Sequence, residues 1–333
     1  MSVLDRIKVN GKLTLMWTEA IRAALCMLPM FVYIGLGNTK FLVALGQGGF
    51  FFSSLWLSSR IGSRFVMGTL LLTLSLGFYL MGGTVAPHRW VAVLFMFLTC
   101  IALSFLSGWK IGGPLALTMV MIFTAGLNTG SADKASTNFM AFAFVFVWST
   151  LISLLPFWRA VPSPKVDPSI PDRDLAEQGL RMAIGASLAL AISYAAGFAK
   201  LGWAPSAVGN ITRFDPQLSE KRATARLVGT LLGAALAAIA LAFVTSVSVL
   251  VLTAGIFAIL NGLFKETKLG MIPLFYTATI LLLYSANDLA SSMSTVLERV
   301  GYNVVGIVIA VFVVVYPFPL IMRRVNPRTT VTR

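Results

Sequence analysis

The chain has 333 residues, 57% of them hydrophobic and only 11% charged, with a formal net charge of +14. Soluble domains carry about 25% charged residues, and a soluble core of this length has no room to hide so much apolar surface. The composition excludes an ordinary soluble domain and makes lipid the expected solvent.

A polar lead, residues 1–18, comes first and is too long for the start of a cleavable signal peptide. Six spans are then expected near 20–38, 41–58, 65–84, 89–108, 112–128 and 136–157, forming a first membrane block over 19–158. Uncharged runs such as Val66–Pro87, Trp90–Trp109, Ile111–Ala132 and Ala135–Trp158 reach the roughly 20 residues that carry a helix across a hydrocarbon core about 30 Å thick. They lack the alternation of polar and apolar residues that barrel strands would show. Next, Arg159–Glu177 is polar and holds Pro162, Pro164, Pro168 and Pro171, which reads as an extended linker over 159–177. A second block over 178–322 follows, with spans expected near 179–198, 201–214, 226–244, 248–264, 269–286 and 299–322. Leu227–Phe264 has no charge over 38 residues, too long for one crossing, so a break is placed near Thr245–Ser248. Residues 323–333 form a basic tail.

The expected fold is therefore an all-α integral membrane protein of about twelve transmembrane helices. With the N-terminus in the cytoplasm, inner segments hold 19 of the 26 lysines and arginines; Lys40, Arg89, Lys134, Lys200 and Arg299 fall on outer loops. That asymmetry is the positive-inside pattern for an even number of crossings, with both termini cytoplasmic. The net charge then follows from topology and from anionic headgroups, and needs no nucleic acid. Cys26 and Cys100 fall within spans, and His88 has no second metal ligand near it. No nucleotide-binding loop, nucleophile elbow or carboxylate pair is present, so neither an enzyme nor a cofactor is expected.

The halves match at an offset of about 159–161 residues. Ala20-Ile-Arg22-Ala-Ala falls on Gly179-Leu-Arg181-Met-Ala, and Gly68-Thr-Leu-Leu71 on Gly229-Thr-Leu-Leu232. Pro114 falls on Pro273, Asn128 on Asn287 and Pro156 on Pro317. Because each half has six spans, the expectation is two parallel six-helix repeats with a pathway between them. Gly46-Gln-Gly48-Gly49 and Trp203-Ala-Pro205 mark short second helices, while Gly112-Gly-Pro114 and Gly270-Met-Ile-Pro273 open the fifth helices. Such segments either break helices around a transported ligand or start and pack ordinary ones.

Trp203 to Gly233 reads W-A-P-S-A-V-G-N-I-T-R-F-D-P-Q-L-S-E-K-R-A-T-A-R-L-V-G-T-L-L-G. Trp-Ala opens a short helix, Asp215 stands twelve residues after Trp203, and a basic loop precedes Arg226, Gly229, Thr230 and Gly233. This stretch resembles the signature of the fusaric acid resistance and aromatic acid exporter family of bacterial inner-membrane proteins. The resemblance is to a minimal form, because the large cytoplasmic domains of long members are absent after each six-span block. It implies export of aromatic carboxylic acids or similar organic anions, often with a periplasmic adaptor of the membrane-fusion type. Plant malate channels are distantly similar, which keeps a passive anion channel open as an alternative; a non-transporting accessory subunit is another. The oligomeric state is open, a homo-oligomer included.

Arg22 and Arg181 lie about one turn into the first and seventh spans, behind Glu19 and Glu177. They either snorkel to the inner headgroups or form a pseudo-symmetric cation site for anions. Asp215 either fixes the inner loop through Arg213, Arg222 or Arg226, or carries the coupling proton. Trp203, Asn210, Arg213, Asn128, Asn287 and Asp288 complete the expected substrate pathway; Arg226, Gly229, Thr230 and Gly233 are expected to be structural, through close helix packing.

Overall fold

Apolar runs broken by Gly, Pro and charge become twelve α-helices among the described residues of the computed structural model. The structure describes residues 15–53, 61–107, 112–156, 158, 172–212, 216–244, 246–265, 267, 273–287, 289 and 292–315. In chain order the helices are α1 Trp17–Gly35, α2 Leu42–Ser53, α3 Ile61–Val85, α4 Arg89–Ser107, α5 Gly112–Leu127 and α6 Ala132–Leu154. They continue with α7 Asp172–Ala195, α8 Trp203–Ile211, α9 Pro216–Phe243, α10 Val247–Leu263, α11 Leu274–Asn287 and α12 Ser292–Ile309, which runs into a π-helical turn at Ala310–Val315.

Three helices begin well before their hydropathy indicates, by about two turns or more. α7 starts at Asp172, inside the segment read as linker, α9 at Pro216 and α12 at Ser292. Hydropathy marks where a helix enters lipid, whereas backbone hydrogen bonding starts wherever the first turn closes, charged residues included. The shift at α12 corrects one assignment: Arg299, expected on an outer loop, lies inside the helix and is 2% exposed.

Five helices are long and apolar enough to cross a membrane: Trp17–Gly35, Ile61–Val85, Ala132–Leu154, Leu218–Phe243 and Ser292–Phe312. Five shorter helices are apolar too, among them Leu42–Ser53 and Leu274–Ala286. The helical turns expose stripes of large apolar side chains: Trp17, Ile21, Leu28 and Val32 on α1, Trp90, Leu94 and Leu98 on α4, and Met140, Phe144, Val147 and Leu151 on α6. Apolar stripes repeated at three- and four-residue steps on several helices are what a lipid-facing surface requires and water does not tolerate. The protein is a multi-pass membrane protein.

The chain divides into two compact units. One comprises Met1–Leu80, Ala132–Lys165 and Ala225–Gly301, the other Met81–Ser131, Val166–Thr224 and Tyr302–Arg333. In the first, α1 packs on α2, α6 and α10, α2 on α6 and α11, and α10 on α11. Its interior is filled by Met27 and Met30, by Phe50, Phe142 and Phe146, and by Ala254 and Ala258. Pro29, inside α1, has no N–H for the carbonyl of Leu25 four residues back; the Trp148 indole of α6 donates to that carbonyl at 2.8 Å. In the second unit, α7 packs on α8, α4 and the Ala310–Val315 turn, α8 on α5 and that turn, and α4 on α5. Here α7 buries Ala183, Ala186 and Ala189 and α4 buries Ala92, small side chains that let helices approach closely in lipid; Met96 and Cys100 of α4 are buried with them.

Two details recur in both units. α1 and α7 end in the same cap: Gly37 and Gly197 have φ of 80° and 66°. The N–H of Asn38 bonds the carbonyl of Tyr33, as that of Phe198 bonds Ser193. This is the Schellman closure, whose left-handed residue favours glycine. The second detail is a crossing at van der Waals limit. A Cβ on Gly262 of α10 would meet the Glu19 carbonyl of α1 at 2.9 Å, and one on Gly179 of α7 would strike Ser104 of α4.

Candidate functional site

A charge inside an apolar helix bundle survives only with partners, so the buried ionisable groups locate the chemistry. At the start of α1, Glu19 is 2% exposed and Arg22 fully buried. One carboxylate oxygen of Glu19 accepts from Arg22 Nη2 at 2.6 Å and from Lys265 Nζ at 3.0 Å. The same Arg22 nitrogen donates to the carbonyl of Ser53, the last residue of α2, at 2.7 Å. A guanidinium at a helix C-terminus also meets the negative end of its dipole. Arg22 therefore does not snorkel to a headgroup; it ties α1 to the end of α2 and, through Glu19, to Lys265 just after α10. In the other unit Arg181 is buried too, with its Nε 3.8 Å from Glu177.

Arg64, on α3, donates to the carbonyls of Ser153, Leu155 and Trp158 at 3.2, 3.1 and 2.9 Å. The Trp158 indole donates to Ile152 at 2.5 Å. Together they satisfy carbonyls at the end of α6 that have no intrahelical donor, so Arg64 is a helix cap.

The Trp203 region is equally well tied. Asn128 Oδ1, just beyond α5, accepts from the N–H of Gly202, the residue before α8, at 2.7 Å. That bond sets where the short helix begins. Trp203 is buried beside Tyr302, ring centroids 5.9 Å apart, and Tyr302 stacks on Phe198 at 3.9 Å. Asn210, about two turns further along α8, donates Nδ2 to the Ser206 carbonyl at 2.8 Å and lies 3.1 Å from Met121 Sδ on α5. The glycines of α2 do not break it: a Cβ on Gly49 would meet the Cys26 carbonyl of α1 at 2.6 Å, so they serve close packing. Pro273 immediately precedes α11, and Pro114 lies in the first turn of α5.

The signature segment places Arg226 on α9, 4% exposed, with its guanidinium 5.4 Å from the Tyr276 ring centroid on α11. Arg299 of α12 is buried as well, at 2% exposure. Phe50 of α2 flanks Tyr276, centroids 5.4 Å apart. Gly229 and Thr230 are buried on α9. A Cβ on Gly233 would meet the Leu274 carbonyl of α11 at 2.5 Å, so this glycine brings α9 onto α11. Arg213, Asp215 and Asp288 lie outside the described residues, and Asn287 is the last residue of α11. Among the described residues, no three His, Cys, Asp or Glu side chains group as metal ligands.

Sequence reasoning missed Arg299, because the outer-loop assignment removed it from the membrane. Hydropathy gave no signal for it, because the helix starts at Ser292, seven residues earlier, among polar residues. It also missed Lys265, whose link to Glu19 spans 246 residues.

Residues 188–313 match the fusaric acid resistance protein-like family. The matched stretch runs from α7 to the π-helical turn and contains Trp203, Arg226, Gly229, Thr230, Gly233, Tyr276 and Arg299. No curated protein and no solved structure matches the chain.

Proposed function

We propose, from the match of residues 188–313 to the fusaric acid resistance protein-like family, that the protein exports aromatic carboxylic acids or similar organic anions from the bacterial cytoplasm. It does so across the inner membrane, at the expense of the proton gradient, and hands its substrate to a periplasmic membrane-fusion adaptor. That match supports a membrane transporter, and the sign of the buried charge supports an anion as its substrate. Among the described residues the buried charged side chains are Arg22, Arg64, Arg181, Arg226 and Arg299, against Glu19 alone. An excess of guanidinium groups over carboxylates among the described buried residues disfavours cations and favours anions. Asp215, between the signature Trp203 and Arg226, is the group we assign to proton coupling.

We further read the chain as a duplication of one six-helix block. The caps at Gly37 and Gly197, 160 residues apart, support this. So does the packing inside each unit: α1 with α2, α6 and α10 corresponds helix by helix to α7 with α8, the turn that ends α12, and α4. Each unit thus joins the first and second helices of one half to the fourth and fifth of the other. Duplicated halves of this kind place substrate sites on the repeat framework in many transporters.

Cells expressing the chain, loaded with labelled benzoate, test this reading. They are expected to retain less label than cells without it, and Asp215→Asn to abolish the difference while the folded protein stays in the membrane. Equal retention with and without the wild-type chain would overturn it.

A further inference from the structure

In the middle of α2 a glutamine is buried without a partner. Gln47 is 6% exposed, and among the described residues no hydrogen bond reaches its amide. Such a group is costly, and buried polar side chains nearly always find a partner in the protein, in water or in a ligand. The glycines around it show which way it faces. A Cβ on Gly46 would lie 2.7 Å from Leu283 of α11 and 2.9 Å from Met30 of α1, and one on Gly48 would strike Val145 of α6. Gly49 lies against the Cys26 carbonyl of α1. Successive helical residues turn by about 100°, so Gln47 points about 160° away from Gly49 and its crossing with α1. Phe50 follows one turn on, about 60° around the helix from Gln47, and its ring lies against Tyr276 of α11, centroids 5.4 Å apart. The amide therefore stands beside a pair of aromatic rings within one compact unit. Close packing of α2 uses its glycines and leaves the amide no role. An amide offers two N–H donors and a carbonyl acceptor without a charge of its own. Those donors fit a carboxylate, and the neighbouring rings fit an aryl group attached to it.

We propose that Gln47 hydrogen-bonds the carboxylate of the exported aryl acid, whose ring lies against Phe50 and Tyr276. This rests on the exporter reading and deepens it, by placing the substrate contact on α2 and α11. It also gives the glycine-rich run of α2 a second role: three glycines seat the helix against its neighbours, and the one polar residue among them meets the cargo.

The test pairs calorimetric titration of the full chain in nanodiscs, with sodium benzoate, with unfolding of the same proteins in SDS. Gln47→Met keeps the unbranched shape and removes the amide; Gln47→Leu removes it with a branched side chain of similar size. Each is expected to weaken benzoate binding by about tenfold or more, the loss of a hydrogen bond to a charged group. Both are expected to resist SDS at least as well as wild type, because the amide holds nothing in the fold. A role in stability alone predicts the opposite pattern. Folded variants that bind benzoate like wild type overturn the site and mean that the amide holds only water. Variants that both unfold more readily than wild type overturn it too, since the amide would then have a partner in the chain. If wild type still transports benzoate in either case, only the site is wrong. If wild type neither binds nor moves benzoate, the exporter reading falls with it.

Discussion

The contact between Trp148 and Leu25 isolates one term of the fold's stability. Pro29 deprives the Leu25 carbonyl of its helical donor, and the Trp148 indole N–H replaces it at 2.8 Å. Trp148→Phe keeps an aromatic ring but leaves the carbonyl without that donor, a loss of about 1–3 kcal/mol where water cannot compensate. Some of the measured cost will be packing, because indole is larger than phenyl. Pro29→Ala separates the two contributions by restoring a main-chain N–H to the same carbonyl. The four proteins of the Trp148/Pro29 cycle would be unfolded in mixed micelles of lipid detergent and SDS. Trp148→Phe should cost markedly less in the Pro29→Ala background than in the wild-type one, with a coupling energy of about 1 kcal/mol or more. Additivity within about 0.5 kcal/mol would refute the idea that Trp148 serves the carbonyl Pro29 leaves open.

Two further outcomes follow from the same accounting of buried polar groups. Glu19→Gln leaves Arg22 and Lys265 together without their shared carboxylate and should cost about 3–5 kcal/mol; the same unfolding assay reads it, and a loss below about 1 kcal/mol would show that the cluster is open to water. Asn128→Ala removes the acceptor for the Gly202 N–H and should cost about 1–3 kcal/mol, with faster hydrogen exchange at the start of α8 than at its middle.

Much of this architecture was legible in the sequence because lipid imposes one rule on every helix. Long uncharged runs marked twelve helices in the right order. Starts of helices were not legible wherever charge enters the first turns, as at Asp172, Pro216 and Ser292, since hydropathy reports solvent and not hydrogen bonding. The partners of the buried charges were hidden for a different reason. Arg22 with Glu19 is a local pair that spacing suggested, but Lys265, Arg64 with the end of α6, and Arg226 with Tyr276 join residues 50 to 246 positions apart. Only the folded chain brings them together. The glycines near Gly49 had two readings that spacing could not separate; the Cys26 carbonyl lying against one of them settles it as packing.

The central claim, proton-driven export of an organic anion, is tested most directly in liposomes with an alkaline lumen and labelled benzoate equal on both sides. Acidifying the outside makes benzoic acid leak inward and become trapped as the anion, so empty liposomes must gain label. A protein that exchanges protons for benzoate runs the other way: protons enter and label leaves. We expect liposomes carrying the wild-type chain to end with less lumenal benzoate than empty ones, and those carrying Asp215→Asn to behave like empty ones. Wild-type liposomes that gain label as empty ones do, with the chain folded in the bilayer, would contradict the account.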